Sequence, residues 1–258
     1  MTEPVILERD GAIARLRFNR PAQLNAVNVQ TAQAFLAGCE AIARDPAIRA
    51  VVLSGAGEAF GAGGDLSELA GDAAAAVPGL IGPVHAAIKL MASLDVPFIA
   101  RLHGVVAGGS LSLAMACDLA VAAEGTRFNL AYVNIGATCD GSASWSLPRV
   151  AGLRNAMGIA LLGQSFDAVD ALRYGLLNQV VPLADLDATV DAMAQRLAQG
   201  PTQAIGRMKR LMHASFGNDL GTQLDLEERE FTANARSEDF RHAVAAFLRK
   251  EKPRFQGR

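Results

Sequence analysis

Cysteine, aromatic residues and net charge are all scarce in this chain, and each shortage removes a class of function. Its 258 residues include three cysteines, Cys39, Cys117 and Cys139. They are odd in number, far apart and in no CxxC pair. That argues against a disulfide framework or a zinc site and fits a reducing compartment. Aromatics make up 5% of the residues, too few for a base-stacking surface, and the net charge of −2 carries no polyanion footprint. No nucleic-acid partner is expected.

Long apolar runs are also missing. None approaches the ~18–20 residues needed to span a bilayer. The start of the chain, MTEPVILERDG, is charged and has no signal-peptide core. A soluble, cytoplasmic protein with no membrane partner is expected. Several catalytic signatures are absent too. There is no GxxxxGK(S/T) phosphate loop and no HExxH, and the four histidines are scattered, so no metal is expected. In Gly55–Phe60 the third glycine of a dinucleotide fingerprint is replaced by Phe60. In Gly108–Ser112 a serine stands where a nucleophile elbow needs its last glycine.

What is present is apolar bulk and ordered punctuation. Hydrophobic residues make up 51% of the chain, enough to fill a sizeable core in one large domain. Asp10-Gly11 between Val5–Arg9 and Ala12–Phe18 signals a hairpin. Asn28 can cap a helix whose apolar positions Ala32, Phe35, Leu36, Cys39, Ile42 and Ala43 follow a 3.6 period. Ala50–Ser54, Pro97–Leu102 and Asp118–Ala123 read as buried strands. Glycine-rich turns lead from strands into helices, one before Leu66–Leu69 and one before Leu111–Ala116. That order predicts an α/β architecture. Strand signals stop after about residue 196, which divides the chain into a core of 1–195 and a helical region of 196–258. The Ala-rich Asp72–Pro78 reads as a mobile loop.

Two glycine turns, each at a predicted helix start, stand out: Gly61-Ala62-Gly63-Gly64-Asp65 and Gly108-Gly109-Ser110. A helix N-terminus presents unpaired N–H groups and positive potential. Glycine lets a substrate oxygen approach the backbone. Two such N–H groups aimed at one point make an oxyanion hole, worth about 3–4 kcal/mol per donor. The same spacing also serves ordinary αβ turns.

Longer stretches are more specific. Phe60-Gly61-Ala62-Gly63-Gly64-Asp65-Leu66 and His103-Gly104-Val105-Val106-Ala107-Gly108-Gly109-Ser110-Leu111 resemble the two signature segments of the enoyl-CoA hydratase/isomerase (crotonase) superfamily. So do Asn19-Arg20-Pro21 with Leu24-Asn25-Ala26, and the ending Phe247-Leu248-Arg249-Lys250 with Pro253 and Phe255. The resemblance covers nearly the whole chain. It implies a crotonase-like spiral of ββα units with a C-terminal helical trimerisation region, assembled as a homotrimer or a dimer of trimers. It implies an acyl-CoA substrate, with coenzyme A as part of that substrate and no separate cofactor. By motif position the oxyanion N–H groups belong to Gly64 and Gly109. Coenzyme A contacts fall at Gln23, Leu24, Ala26, Ala62, Asp65 and Leu66, although members often carry a basic residue near Gln23.

Two departures bear on the reaction. Hydratases of this family carry two catalytic glutamates, and the matching positions here are Ser112 and Tyr132. Hydration needs a carboxylate pair to activate water and protonate the α-carbon, so it is disfavoured. The chain instead offers Asp140, in Thr138-Cys139-Asp140-Gly141-Ser142. This stretch resembles two groups of relatives. In 1,2-epoxyphenylacetyl-CoA isomerase and Δ3,Δ2-enoyl-CoA isomerases the matching aspartate is the acid/base. In 4-chlorobenzoyl-CoA dehalogenase it is the nucleophile, with a histidine matching His85 and an aromatic hydrogen-bonding residue matching Tyr132. The catalytic candidates are therefore Asp140, His85 and Tyr132. An isomerase-type proton shuttle by Asp140 is favoured, with dehalogenase-like substitution, residual hydration and acyl-CoA binding without turnover as rivals. On residue type alone, Asp140 reads equally as a helix cap, and His85 and Tyr132 as core residues.

Overall fold

The computed structural model describes residues 3–258. Strands β1 (Val5–Asp10) and β2 (Ile13–Phe18) form the antiparallel hairpin around Gly11, which takes the left-handed φ of +60° that the tight turn requires. From β2 the sheet continues in parallel through β3 (Ala50–Gly55), β4 (Phe98–Leu102), β6 (Leu119–Ala123) and β9 (Gln179–Val181). A smaller sheet joins β5 (Val105–Ala107), β7 (Arg127–Asn129) and β8 (Phe166–Asp167). Helices between the strands are α1 (Val29–Arg44), α2 (Ala73–Ser93), α3 (Gly109–Ala116), α4 (Ala143–Leu162) and α5 (Ala168–Arg173), and α6 (Leu186–Ala198) follows the last strand. After these come α7 (Thr202–Ala214), α8 (Leu220–Ala235) and α9 (Glu238–Leu248).

The central strands are buried on both faces, as parallel strands covered by helices must be. Alternation sorts their side chains. Ala50 and Val52 of β3 pack with Ile99 and Val121 under Leu186, Val190 and Ala194 of α6. Val51 and Leu53 point the other way, into a larger core that includes Phe35 and Ile42 of α1. Helix α1 begins where expected, with the Asn28 side chain accepting from the Thr31 N–H. Burial pushes the Cys39 thiol of α1 up to about 12.

Two expectations need correction. The Ala-rich 72–78 stretch is not a loop. It opens α2, with Asp72 capping the Ala75 N–H. Alanine has the highest helix propensity, and with the cap it outweighs the cost of Pro78 and Pro83. Taken whole, α2 is also long and apolar enough to cross a membrane by length and composition, with a mean hydropathy of 1.4 over its best window. Its Leu80, Ala87 and Met91 face the core of the domain.

The C-terminal helices are pinned to the core by Lys209 of α7. Its ammonium donates to the carbonyls of Met91 and Val96 and pairs with Asp118 at 3.1 Å. Gly206, one turn earlier, packs so tightly on Asp95 that a Cβ would lie 2.3 Å from the Asp95 Cα.

Candidate active site

The β3 and β4 strands lie side by side; one glycine turn follows β3, and the other follows the short β5 that comes directly after β4. Ligands in open α/β sheets bind outside the carboxyl ends of such strands. Three backbone hydrogen bonds join the segments: Phe60 N–H to His103 O, Gly61 N–H to Val105 O, and Ala107 N–H to Gly61 O, at 2.9, 3.0 and 2.9 Å. His103 supports the junction from behind. Its Nε2 donates to Gly57 O at 2.8 Å, and its Nδ1 accepts from Arg101, which is itself paired with Asp187. Burial first, then the Arg101 charge, hold His103 below the ordinary histidine range, so it stays neutral. Gly104 is required here: a Cβ would fall 1.8 Å from Glu58 O.

The two candidate N–H groups become free in different ways. Gly109 is the first residue of α3, so its N–H has no partner within the helix, as expected. The helix argument fails for Gly64, because Leu66–Leu69 is a single 3-10 turn capped by Asp65. There Val27 brackets the glycine instead. The Val27 N–H donates to Gly63 O and Val27 O accepts from the Asp65 N–H, at 2.8 and 2.9 Å. Among the described residues, neither the Gly64 nor the Gly109 N–H has an intramolecular acceptor. Gly63, with φ +97°, lets the turns touch: a Cβ on it would lie 3.3 Å from Gly109 N. Ser110 locks this contact by accepting from the Gly63 N–H at 3.1 Å. Sequence reasoning missed Ser110, although its place directly after Gly108-Gly109 was the available signal.

The two glycines line a cavity of about 550 Å³. Leu66, Leu69, Val77, Leu80, Ile81 and Val84 give it an apolar wall. Gly64, Gly109, Tyr132, Asp140 and His85 all line it. A Cβ built on Gly109 would lie 3.9 Å from Gly64 N, 3.6 Å from the Tyr132 hydroxyl and 3.8 Å from Asp140 Oδ1. Residues as far as 76 positions apart in the chain, from Gly64 to Asp140, thus meet around one point.

Asp140 does not cap α4. Ser142 holds the cap position, and the Asp140 carboxylate turns into the cavity, where Oδ1 accepts a short hydrogen bond from the Tyr132 hydroxyl. Ser112 Oγ is 3.1 Å from the same hydroxyl. Desolvation, then the Asp140 charge, raise the Tyr132 phenol well above its ordinary value, so it stays a donor. Ser112 is fully buried, and Gly141 packs against it so closely that a Cβ on Gly141 would meet Ser112 Cβ at 2.8 Å. His85 Nε2 accepts from the Gly141 N–H at 3.1 Å. Cys139 lines the cavity beside these groups.

The expected coenzyme A positions divide. Ala62 and Leu66 line the cavity, and Leu66 is exposed at its edge. Leu24 sits next to Ala62, whose N–H donates to Leu24 O at 2.9 Å. Gln23 is exposed and Ala26 half-buried, and neither lines the cavity. Asp65 is turned away, paired with Arg20 at 3.1 Å and accepting from Ser67, and these bonds lower its pKa. Arg20 also donates to Ala26 O, so it staples the 24–26 loop.

Comparison with known proteins gives the family and the fold. The enoyl-CoA hydratase/isomerase family model matches residues 8–258. The chain belongs to the enoyl-CoA hydratase/isomerase family. It is 36% identical to the 1,2-epoxyphenylacetyl-CoA isomerase of Escherichia coli, with all of both chains covered. It is 31% identical to a 4-chlorobenzoyl coenzyme A dehalogenase of an Arthrobacter species, over 96% of this chain and 91% of the relative. A solved enoyl-CoA hydratase/isomerase structure from Mycobacterium abscessus superposes with a TM-score of 0.93 at 32% identity, covering 98% of this chain and 100% of that one. The fold is therefore the crotonase fold, and the chain is an acyl-CoA enzyme of this family.

Proposed function

We propose that the chain is a cofactor-free acyl-CoA isomerase in which Asp140 carries the proton. One observation carries this reading: among the residues lining the cavity, Asp140 is the single carboxylate. Hydration has to activate water and also deliver a proton, and a second carboxylate normally shares that work. Isomerisation needs only one group that takes a proton and gives it back.

In this mechanism the thioester oxygen accepts from the Gly64 and Gly109 N–H groups. Charge gathers on that oxygen as a proton leaves carbon, so donors fixed there favour the enolate over the ground state. Asp140 removes a proton from one carbon of the acyl chain. The double bond shifts, and the same carboxyl group returns the proton to another carbon. Tyr132 holds Oδ1, which leaves Oδ2 to make the transfer. Ala62, Leu24 and Leu66 would flank the pantetheine arm at the cavity mouth.

Aryl substitution is the second reading, because Asp140, Tyr132 and His85 share one cavity and a dehalogenase is among the relatives. It asks His85 to activate water, and the bond from Gly141 occupies the imidazole nitrogen needed for this. That favours the proton shuttle. A β,γ-enoyl-CoA, an α,β-enoyl-CoA and 4-chlorobenzoyl-CoA, each given to the purified protein, separate the readings. Conjugation of the first without hydration of the second or chloride from the third is the expected result. Hydration or chloride release at a higher kcat/KM would overturn it.

A further inference from the structure

We infer that His85 is a positioning residue for Asp140. His85 lies on α2, half-buried in the cavity wall. Its Nε2 is 3.1 Å from the backbone nitrogen of Gly141. A backbone N–H can only donate, so Nε2 is the nitrogen with the lone pair and the ring proton sits on Nδ1. Neither nitrogen then has a lone pair to spare for water.

The bond acts directly on Asp140. The Gly141 N–H belongs to the peptide plane that begins at the Asp140 Cα. Tyr132 holds the carboxylate end of Asp140, and His85 holds its backbone end. Gly141 itself has φ +57° and is pressed against α3 and α2, with Ser112 Cβ and Ile88 Cδ1 at 2.8 and 3.9 Å from its would-be Cβ. A turn so confined shifts as a unit, so loosening the peptide moves the carboxylate.

The inference rests on the isomerase reading for its kinetic test and on structure alone for its spectroscopic one. Exchange of acyl α-protons in heavy water is followed for wild type, His85→Gln and His85→Phe. Glutamine can accept from the Gly141 N–H and is expected to recover most of the turnover. Phenylalanine removes the acceptor and is expected to lower kcat about 10²-fold with KM little changed, as a misplaced catalytic group does. A His85→Gln protein as slow as His85→Phe, or wild-type kcat in His85→Phe, overturns the inference. Nitrogen NMR of the wild-type imidazole should find Nε2 unprotonated at neutral pH, and a protonated Nε2 also overturns it. An unprotonated Nε2 together with an Asp140→Asn protein that exchanges like wild type would sink the isomerase reading and leave the His85 assignment standing.

Discussion

Tyr132 donates its phenolic hydrogen to Asp140 Oδ1, and Ser112 Oγ stands 3.1 Å from the same phenol. The two positions where the family's hydratases carry glutamates thus form a neutral cradle for a carboxylate from elsewhere in the chain. Loss of the Tyr132 bond in Tyr132→Phe should cost about 1.5–3 kcal/mol of charge-assisted hydrogen bonding, or roughly ten- to a hundredfold in kcat. Steady-state kinetics on a turned-over acyl-CoA check this. An unchanged kcat would remove Tyr132 from the mechanism.

The raised phenol also predicts how the protein responds to alkali. Tyr132 has an ordinary value of 10.0, and in the folded chain it keeps its proton above that. A raised value stabilises the fold fully below the unfolded value, and this contribution declines as pH climbs past it. Spectroscopic titration of wild type and Tyr132→Phe should find no extra phenolate in wild type until the protein unfolds. Reversible ionisation of Tyr132 in the native state near its ordinary value would contradict this.

Restoring a glutamate should not restore hydration. In Ser112→Glu the larger side chain enters a fully buried position packed beside the Asp140–Gly141 turn, where even a Cβ on Gly141 would come within 2.8 Å of Ser112 Cβ. Overpacking of this kind costs about 1–3 kcal/mol. The expected outcome is lower stability, less proton exchange and no hydration of a short α,β-enoyl-CoA. A gain in hydration would mean the turn yields more easily than this packing implies.

These positions show what could be read from the chain and what could not. The Asp10-Gly11 hairpin, the Asn28 cap and the continuous burial of β3 are local features, and local chemistry announces them. Gly64, Gly109, Tyr132 and Asp140 could be singled out by motif position, and the structure brings them to one cavity. The Gly64 N–H is free for a reason hidden from local reading: Val27, far back in the chain, brackets it. The His85–Gly141 bond joins residues 56 positions apart, and no periodicity signals it. Residues 72–78 misled for the opposite reason. Alanine and proline together suit a loop as well as a helix start, and only the Asp72 cap and the packing of Leu80 decide.

The anchor of the C-terminal helices is testable apart from catalysis. Lys209→Met leaves Asp118 in a half-buried site with its Phe98 N–H bond but no cation. Removing one partner of a buried pair costs about 3–5 kcal/mol. Denaturant unfolding should therefore find Lys209→Met much less stable, with Asp118→Asn in the same chain recovering part of the loss. Equal stability of Lys209→Met and wild type would make the pair ornamental.

The surface bears on assembly. Leu153, Leu161 and Leu162 of α4 are 64%, 65% and 64% exposed, and Met212, Phe231 and Phe247 of the C-terminal helices are 61%, 65% and 81% exposed. Apolar patches of this kind mark interfaces. Two different patches on one chain suit a head-to-tail ring. We propose the trimer, or a pair of trimers, that the family resemblance implies. Sedimentation should give a multiple of three chains, and Leu161→Glu with Leu153→Glu should lower it. A monomeric wild type would contradict the proposal.

The central claim is that Asp140 carries the proton between carbons of an acyl group held by Gly64 and Gly109. It is tested most directly by α-proton exchange of a bound acyl-CoA in heavy water, comparing wild type with Asp140→Asn under conditions where both bind the thioester equally. The account predicts exchange in wild type and a fall of at least about 10²-fold in Asp140→Asn, the usual worth of a positioned general base. Equal exchange rates in the two proteins would contradict it.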